Sequence, residues 1–153
     1  TTYKEVNKNF SEFFKRLFMG GRAELQLIGD EILDTGLQVS AQPPGKKNTT
    51  INLLSGGEKA LTAISLIFAL FKLNPSPFCV MDEVDAPLDD TNTSNFCSLV
   101  KEMAEKTQFL IVTHNRITME IAEQLVGVTQ QELGVSRIVE VDMRDIDDME
   151  LAY

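Results

Sequence analysis

Across residues 3–19, Val6, Phe10, Phe13, Phe14, Leu17 and Phe18 recur at helical spacing with Lys4, Lys8, Lys15 and Arg16 among them, the pattern of an amphipathic helix. Gly20-Gly21 stops it. From Ala23 to Ile28 polar and apolar residues alternate through Glu24, Leu25, Gln26 and Leu27, as in a half-buried strand, and a second strand is expected from Leu37 to Gln42. Pro43-Pro44-Gly45-Lys46-Lys47-Asn48 reads as a loop leading to the short apolar run Ile51 to Leu54.

From Ala60 to Leu73 the chain is apolar on nearly all sides, so this helix should be buried. Phe78-Cys79-Val80-Met81 and Phe109-Leu110-Ile111-Val112 are continuous apolar runs, expected of strands covered on both faces, and residues 90–106 between them read as a helix. Strand, helix and strand of this kind form a right-handed βαβ unit in a parallel sheet. A helix near Ile117–Leu125 and a strand at Arg137–Val141 complete the expected α/β fold, a mainly parallel sheet flanked by helices. Asp142, Asp145, Asp147, Asp148 and Glu150 then make an acidic tail with Arg144 its only base.

A length of 153 residues, 43% hydrophobic and 24% charged, suits one ordinary globular domain. Fourteen Lys and Arg against 23 Asp and Glu give a formal charge of −9, which argues against the chain as a whole being a DNA-binding surface. Residues 1–22 reverse that balance locally, with five bases against two acids: a solvated helix face or a contact to DNA. No window approaches the roughly 18 apolar residues of a membrane span, and the N-terminus lacks the pattern of a secretory signal, so no membrane partner is expected. Cys79 and Cys97 read as buried thiols in a reducing, cytoplasmic setting, without metal-ligand spacing. The chain begins with Thr rather than Met, as a segment of a longer protein would.

Four short stretches carry chemistry. At Leu54-Ser55-Gly56-Gly57-Glu58-Lys59, Ser55 followed by Glu58 makes a capping box for the helix that follows. A cap has no need of two glycines, which suggest close approach of another group to the backbone. Free N–H groups, a hydroxyl and a helix N-terminus together suit a phosphate, and one terminus can serve both purposes. Phe78 to Glu83 is an apolar strand ending abruptly in two carboxylates, at the strand end where parallel α/β sheets bind ligands. Asp82 suits Mg²⁺, which takes one or two carboxylates and keeps waters and substrate phosphates, while Glu83 suits activation of a water.

The turn Val84-Asp85-Ala86-Pro87-Leu88-Asp89-Asp90 leads into the next helix, with Asp89 or Asp90 available as its cap and Asp85 directly after the carboxylates. Thr113-His114-Asn115 ends the neighbouring strand, which should bring His114 close to Glu83. No segment matches G-x-x-x-x-G-K-[ST]: around Gly45-Lys46-Lys47, Ser40 stands where the first glycine belongs and Lys47 replaces the hydroxyl residue. The chain therefore carries half of a phosphoryl-transfer site.

Together, Leu54–Lys59, Phe78–Asp89 and Thr113–Asn115 resemble the ABC-type ATPases, and in particular the C-terminal head segment of SMC proteins, strongly over residues 50–142 and more weakly over the first 45. That resemblance implies a coiled-coil ATPase of chromosome condensation and segregation, associated with the nucleoid. Residues 1–19 would lead in from the coiled coil, 20–142 would form the C-terminal half of the head, and 143–153 the acidic tail. The N-terminal half-head would supply Walker A, and two complete heads would sandwich two ATP molecules. It implies that Leu54, Ser55, Gly56, Gly57 and Glu58 form the signature, meeting ATP on the opposing head. Asp82 would hold Mg²⁺ through water, Glu83 would deprotonate the attacking water, Asp85 would act across the head dimer as the D-loop, and His114 would sense the γ-phosphate. It also implies a kleisin partner, and DNA bound through the full complex, with the isolated chain inactive. The alternatives are a head fragment of a double-strand-break repair ATPase and a non-catalytic kleisin-binding module.

Overall fold

A computed structural model of the chain describes residues 2–29 and 36–143. Helix α1 spans Thr2–Leu17 and strands β1 and β2 span Arg22–Ile28 and Gly36–Gln42, with β3 at Thr49–Thr50 and a single 3₁₀ turn at Ile51–Leu53. Helix α2 (Gly56–Leu73) precedes β4 (Phe78–Asp82), α3 (Asp90–Ala104), β5 (Gln108–Val112), the one-turn α4 (Arg116–Met119), β6 (Gln124–Glu132) and β7 (Val135–Asp142). Residues 144–153, which hold most of the acidic tail, lie outside the described residues.

The chain leaves α1 through Met19, Gly20 and Gly21, at φ 56°, 141° and 78°. The Gly20 N–H reaches back to the Lys15 carbonyl at 2.9 Å, closing the last turn. Gly21 has a second reason to be glycine, since a Cβ there would stand 2.4 Å from the Gln42 carbonyl oxygen.

The α/β class holds, and β4 and β5 pair in parallel through the intervening α3, from Phe78↔Gln108 to Asp82↔Val112. The remaining pairing corrects the expectation of a mainly parallel sheet. β1, β2 and β3 form an antiparallel sheet, and β6 and β7 an antiparallel hairpin. The physical reason is connection length: the short links between β1, β2 and β3 and between β6 and β7 return the chain antiparallel, whereas β4 and β5 are joined by a helical crossover, α3, long enough for a parallel pair. The expected helix at Ile117–Leu125 is also corrected. It stops after one turn, and Leu125 to Thr129 pair with Val141 to Arg137 as strands. The β-branched residues Val126, Val128 and Thr129 favour that pleated arrangement.

The core is largely aromatic. Phe10, Phe13, Phe14 and Leu17 of α1 meet Leu61, Ile64 and Phe68 of α2, and α3 adds Phe96, Leu99 and Val100. Phe68 meets Phe13 edge-on at 6.3 Å, lies parallel to Phe96 at 6.4 Å, and meets Phe109 of β5 edge-on at 6.2 Å. Cys79 and Met81 of β4 join the same core, the first with its thiol pKa raised by burial.

The other face of β4–β5 is bare, against the expectation of cover on both sides: Phe78 is 63% exposed and Leu110 60%. Ile67 and Leu70 on α2 are likewise exposed, so that helix is buried on one side only, and β6–β7 exposes Val126, Val128, Ile138 and Val139. Among the described residues nothing covers these surfaces, and the apolar runs that suggested two-sided burial have a partner on one side only.

Phe68→Ala is expected to lower unfolding free energy by about 3–5 kcal/mol, because it removes the ring shared by α1, α3 and β5 and leaves a cavity. Urea denaturation checks this, and a loss below about 1 kcal/mol would place the stabilising contacts elsewhere.

Candidate active site

Ser55 caps α2. Its hydroxyl accepts from the Glu58 N–H at 3.4 Å, its own N–H donates to the Glu58 carboxylate at 3.0 Å, and the capping box is complete. Glu58 also meets the Lys46 ammonium at 2.5 Å, across from the Pro-Pro-Gly loop. Lys46, backbone Ser55 and its hydroxyl hold the Glu58 pKa below its ordinary 4.5. Lys46 is a site-shaping residue that sequence reasoning missed: judged only against a phosphate loop, it is in fact a clamp on the α2 cap.

The two glycines have different roles. A Cβ on Gly57 would lie 2.8 Å from the Pro87 carbonyl oxygen, so Gly57 lets the Val84–Asp90 turn press on the start of α2. A Cβ on Gly56 would meet nothing within 4 Å, which leaves its backbone open to a ligand. Leu54 is buried in the core and anchors the segment with its side chain turned away from the surface.

Asp82 stands exposed at the end of β4, and its carboxylate makes no hydrogen bond or ion pair among the described residues. Glu83 follows at φ 48°, a left-handed conformation that a side chain adopts at a cost of about 1–3 kcal/mol. Its N–H bonds to the Val112 carbonyl at 2.8 Å, which ties this bend to the end of β5. His114 Nδ1 lies 3.7 Å from Glu83 Oε1, with both side chains largely exposed, so the register of two parallel strands does bring them together. That distance is too long for a hydrogen bond and short enough for both groups to face one reacting atom.

Asp85 is in a different position. It is 1% exposed, and its Oδ2 accepts from the Thr113 hydroxyl at 2.6 Å and the Thr118 hydroxyl at 2.5 Å. Its carboxylate thus faces into this chain and braces the turn against the His114 strand end and α4. Thr113 also accepts from the Asn115 N–H at 2.9 Å, and Asn115 in turn caps α4. Thr118 gave no signal in the sequence because its role depends on a fold that brings position 118 beside 85. Asp89 is the cap of α3, accepting from the Asn92 N–H at 2.8 Å.

No group of three or more His, Cys, Asp or Glu among the described residues forms a metal site. One free carboxylate, Asp82, beside a second, Glu83, suits a hard cation that keeps its waters and takes its other ligands from a phosphate. The strand ends thus offer a carboxylate pair and a histidine, the start of α2 is a separate open helix terminus joined to the following turn through Gly57 and Pro87, and the sequence has no G-x-x-x-x-G-K-[ST] loop to hold a nucleotide.

The RecF/RecN/SMC N terminal domain family matches residues 6–137. The chain belongs to this family. It is 68% identical over 142 residues to the Chromosome partition protein Smc of Burkholderia pseudomallei (strain 1710b), covering 93% of this chain and 12% of that protein. Among solved structures, the Smc head of Pyrococcus furiosus with an extended coiled coil, bound to the C-terminal domain of ScpA, superposes with a TM-score of 0.91 at 37% identity. That match covers 98% of this chain and 38% of that one. A chain from structural work on ATP-driven dimerization and DNA-stimulated activation of SMC ATPases gives a TM-score of 0.81 at 37% identity, over 97% of this chain and 93% of that one. The chain thus has the fold of part of an SMC head, and it spans about an eighth of the Burkholderia relative. No helix among the described residues is long and apolar enough to cross a membrane.

Three outcomes are expected. Gly57→Ala should lower thermal stability, because the turn at Pro87 must give way, whereas Gly56→Ala should leave it unchanged or slightly raised; equal losses would disprove the assignment of the two glycines. Thr118→Val should cost about 1–3 kcal/mol in denaturant by taking a donor from a buried carboxylate, and an unchanged midpoint would remove Asp85 from the brace. Because the folded pKa of Glu58 is depressed, its contribution is complete above its ordinary 4.5 and lost as pH falls through the lower folded value. Lys46→Met should therefore flatten the acid limb of a pH–stability profile, and an unaltered limb would show that the pair contributes nothing.

Proposed function

We propose that the chain is the C-terminal half of an SMC ATPase head in a chromosome condensation and segregation machine. Walker A would come from the N-terminal half-head of the same protein. The observation that carries this reading is the pairing of Glu83 and His114, 3.7 Å apart after the ends of two parallel strands, in a sequence with no G-x-x-x-x-G-K-[ST] loop for a nucleotide. The bare face of β4–β5 supports a second half packing there, and the chromosome partition relatives favour this reading over a repair ATPase. A solved chain of almost the same extent, from structural work on SMC ATPases, supports reading this segment as a unit of the head.

In the assembled head, ATP would be hydrolysed by attack of water on the γ-phosphorus. Glu83 accepts the proton of that water, and the strained turn beneath it holds the carboxylate in line. Asp82 would take Mg²⁺ through water, the ion supplying charge neutralisation on the phosphates. His114 donates to the γ-phosphate. Ser55, Gly56 and Gly57, at the positive end of an 18-residue helix, meet the ATP of a second head, so that nucleotide brings two heads together. Asp85 keeps the D-loop in register through Thr113 and Thr118, and the segment's backbone faces the head dimer. A kleisin subunit is the further partner, since solved SMC heads carry the C-terminal domain of ScpA; a module that only binds kleisin is the alternative.

ATP turnover is expected only when this chain is mixed with its N-terminal half-head, and it should be lost with Ser55→Arg and reduced about 10²–10⁴-fold with Glu83→Gln. Turnover by the chain alone, or an unchanged rate in Glu83→Gln, would reject the reading. A folded but inactive mixture that binds the kleisin C-terminal domain without nucleotide would establish the binding module instead.

A further inference from the structure

Glu58 is the third residue of α2, so its carboxylate stands at the helix terminus that an anion would approach. Both of its oxygens are in use: Oε2 accepts from the Ser55 N–H at 3.0 Å, and Oε1 meets the Lys46 ammonium at 2.5 Å. The pair with Lys46 keeps Glu58 ionised, so its charge is cancelled by a cation and not by a proton. With only 17% of its side chain exposed, Glu58 is poorly screened by water, while Ser55 and Gly56 beside it stand open to solvent. Left unpaired, that charge would offset the positive end of the helix dipole and repel a phosphate brought to it.

The ammonium is delivered by a fixed turn. The Lys46 N–H donates to the Pro43 carbonyl at 3.1 Å, the Lys46 carbonyl accepts from the Gln42 side-chain amide at 3.0 Å, and Gly45 turns the chain at φ 74°. A Cβ on Gly21 would stand 3.2 Å from Pro44 Cδ, so the same turn is pressed against the Gly20-Gly21 stop of α1. An ion pair with an ammonium this exposed adds little to stability, and the Ser55–Glu58 cap is complete without it. Its effect is therefore to be sought in the charge at the terminus.

We propose that Lys46 is a positioning residue for head engagement: by neutralising Glu58 it opens the Ser55–Gly57 terminus to the phosphate of a second head's ATP, without touching that phosphate itself. This inference rests on the reading of the α2 terminus given under the proposed function. The arrangement divides the donors of the terminus. The Ser55 N–H is spent on Glu58, whereas the Ser55 hydroxyl oxygen accepts from the Glu58 N–H and so leaves its proton free to point outward, beside the Gly56 N–H. Glu58 thus orders the cap, and Lys46 removes the electrostatic penalty of placing a carboxylate there.

The test uses the head assembled from this chain and its N-terminal half-head, and measures ATP-dependent dimerisation by sedimentation velocity in a Glu83→Gln background, with turnover at saturating head concentration followed in the Glu83 form. Lys46→Gln should weaken dimerisation about tenfold or more while turnover per dimer holds. The loss should shrink between about 0.1 M and about 1 M salt, as screening removes the repulsion. Lys46→Arg should dimerise as wild type. Lys46→Gln/Glu58→Gln should regain most of the association, because glutamine completes the capping box without a charge. Lys47→Gln, in the same loop and not ion-paired to Glu58, should have no effect. Unchanged dimerisation in Lys46→Gln, a loss that is the same at both salt concentrations, or an equal loss in Lys47→Gln overturns the inference alone. So does a double variant that stays weak, which would make Lys46 a direct phosphate ligand. A wild-type head that stays monomeric with ATP would overturn the reading of the α2 terminus, and this inference with it.

Discussion

The packing of α2 against three neighbours through one ring governs the rest of the molecule. Phe68 meets Phe13, Phe96 and Phe109, and so fixes α2 relative to α1, α3 and β5 at once. Since Ser55 caps that helix, Gly56 and Gly57 begin it, and Glu83 and His114 follow the ends of β4 and β5, aromatic contacts in the core help set where the helix terminus stands relative to the strand-end carboxylate. The chemistry at the rim is therefore only as well defined as the interior beneath it.

Two further fastenings act nearer the rim. Pro87 against Gly57 joins the turn to α2, and Asp85 with Thr113 and Thr118 joins it to the histidine strand and α4. A buried carboxylate with two hydroxyl donors is stable only while both stay in place, because an unpaired buried charge is costly. Movement of the His114 loop would thus be felt by the turn on α2, through hydrogen bonds rather than through diffuse packing.

What was legible in the sequence divides along physical lines. Local chemistry was readable: the Ser55–Glu58 cap, the Gly20-Gly21 stop, the Asp89 cap and the convergence of His114 on Glu83 each depend on spacing along one element or on the end-to-end register of two parallel strands. Pairing direction was less so, because Leu125–Thr129 carries apolar residues that suit a helix or a strand, and the choice is made by β7, more than six residues downstream. Burial was misjudged for α2 and β4–β5 for a related reason: an apolar run reports that a face is covered, without saying which polypeptide covers it. Thr118 and Lys46 were invisible because each acquires its role from a partner distant in sequence.

The bare apolar strips on β4–β5, on α2 and on the β6–β7 hairpin have a thermodynamic consequence. A surface that is buried only on association couples folding to mass action, so the free energy of this segment is shared with whatever covers it and grows with the concentration of that cover. Its melting point is then a property of a stoichiometric mixture, and the same strips that favour the correct union expose β edges to self-pairing when the partner is scarce. Balanced supply of the two surfaces becomes as much a determinant of this segment's persistence as any residue within it.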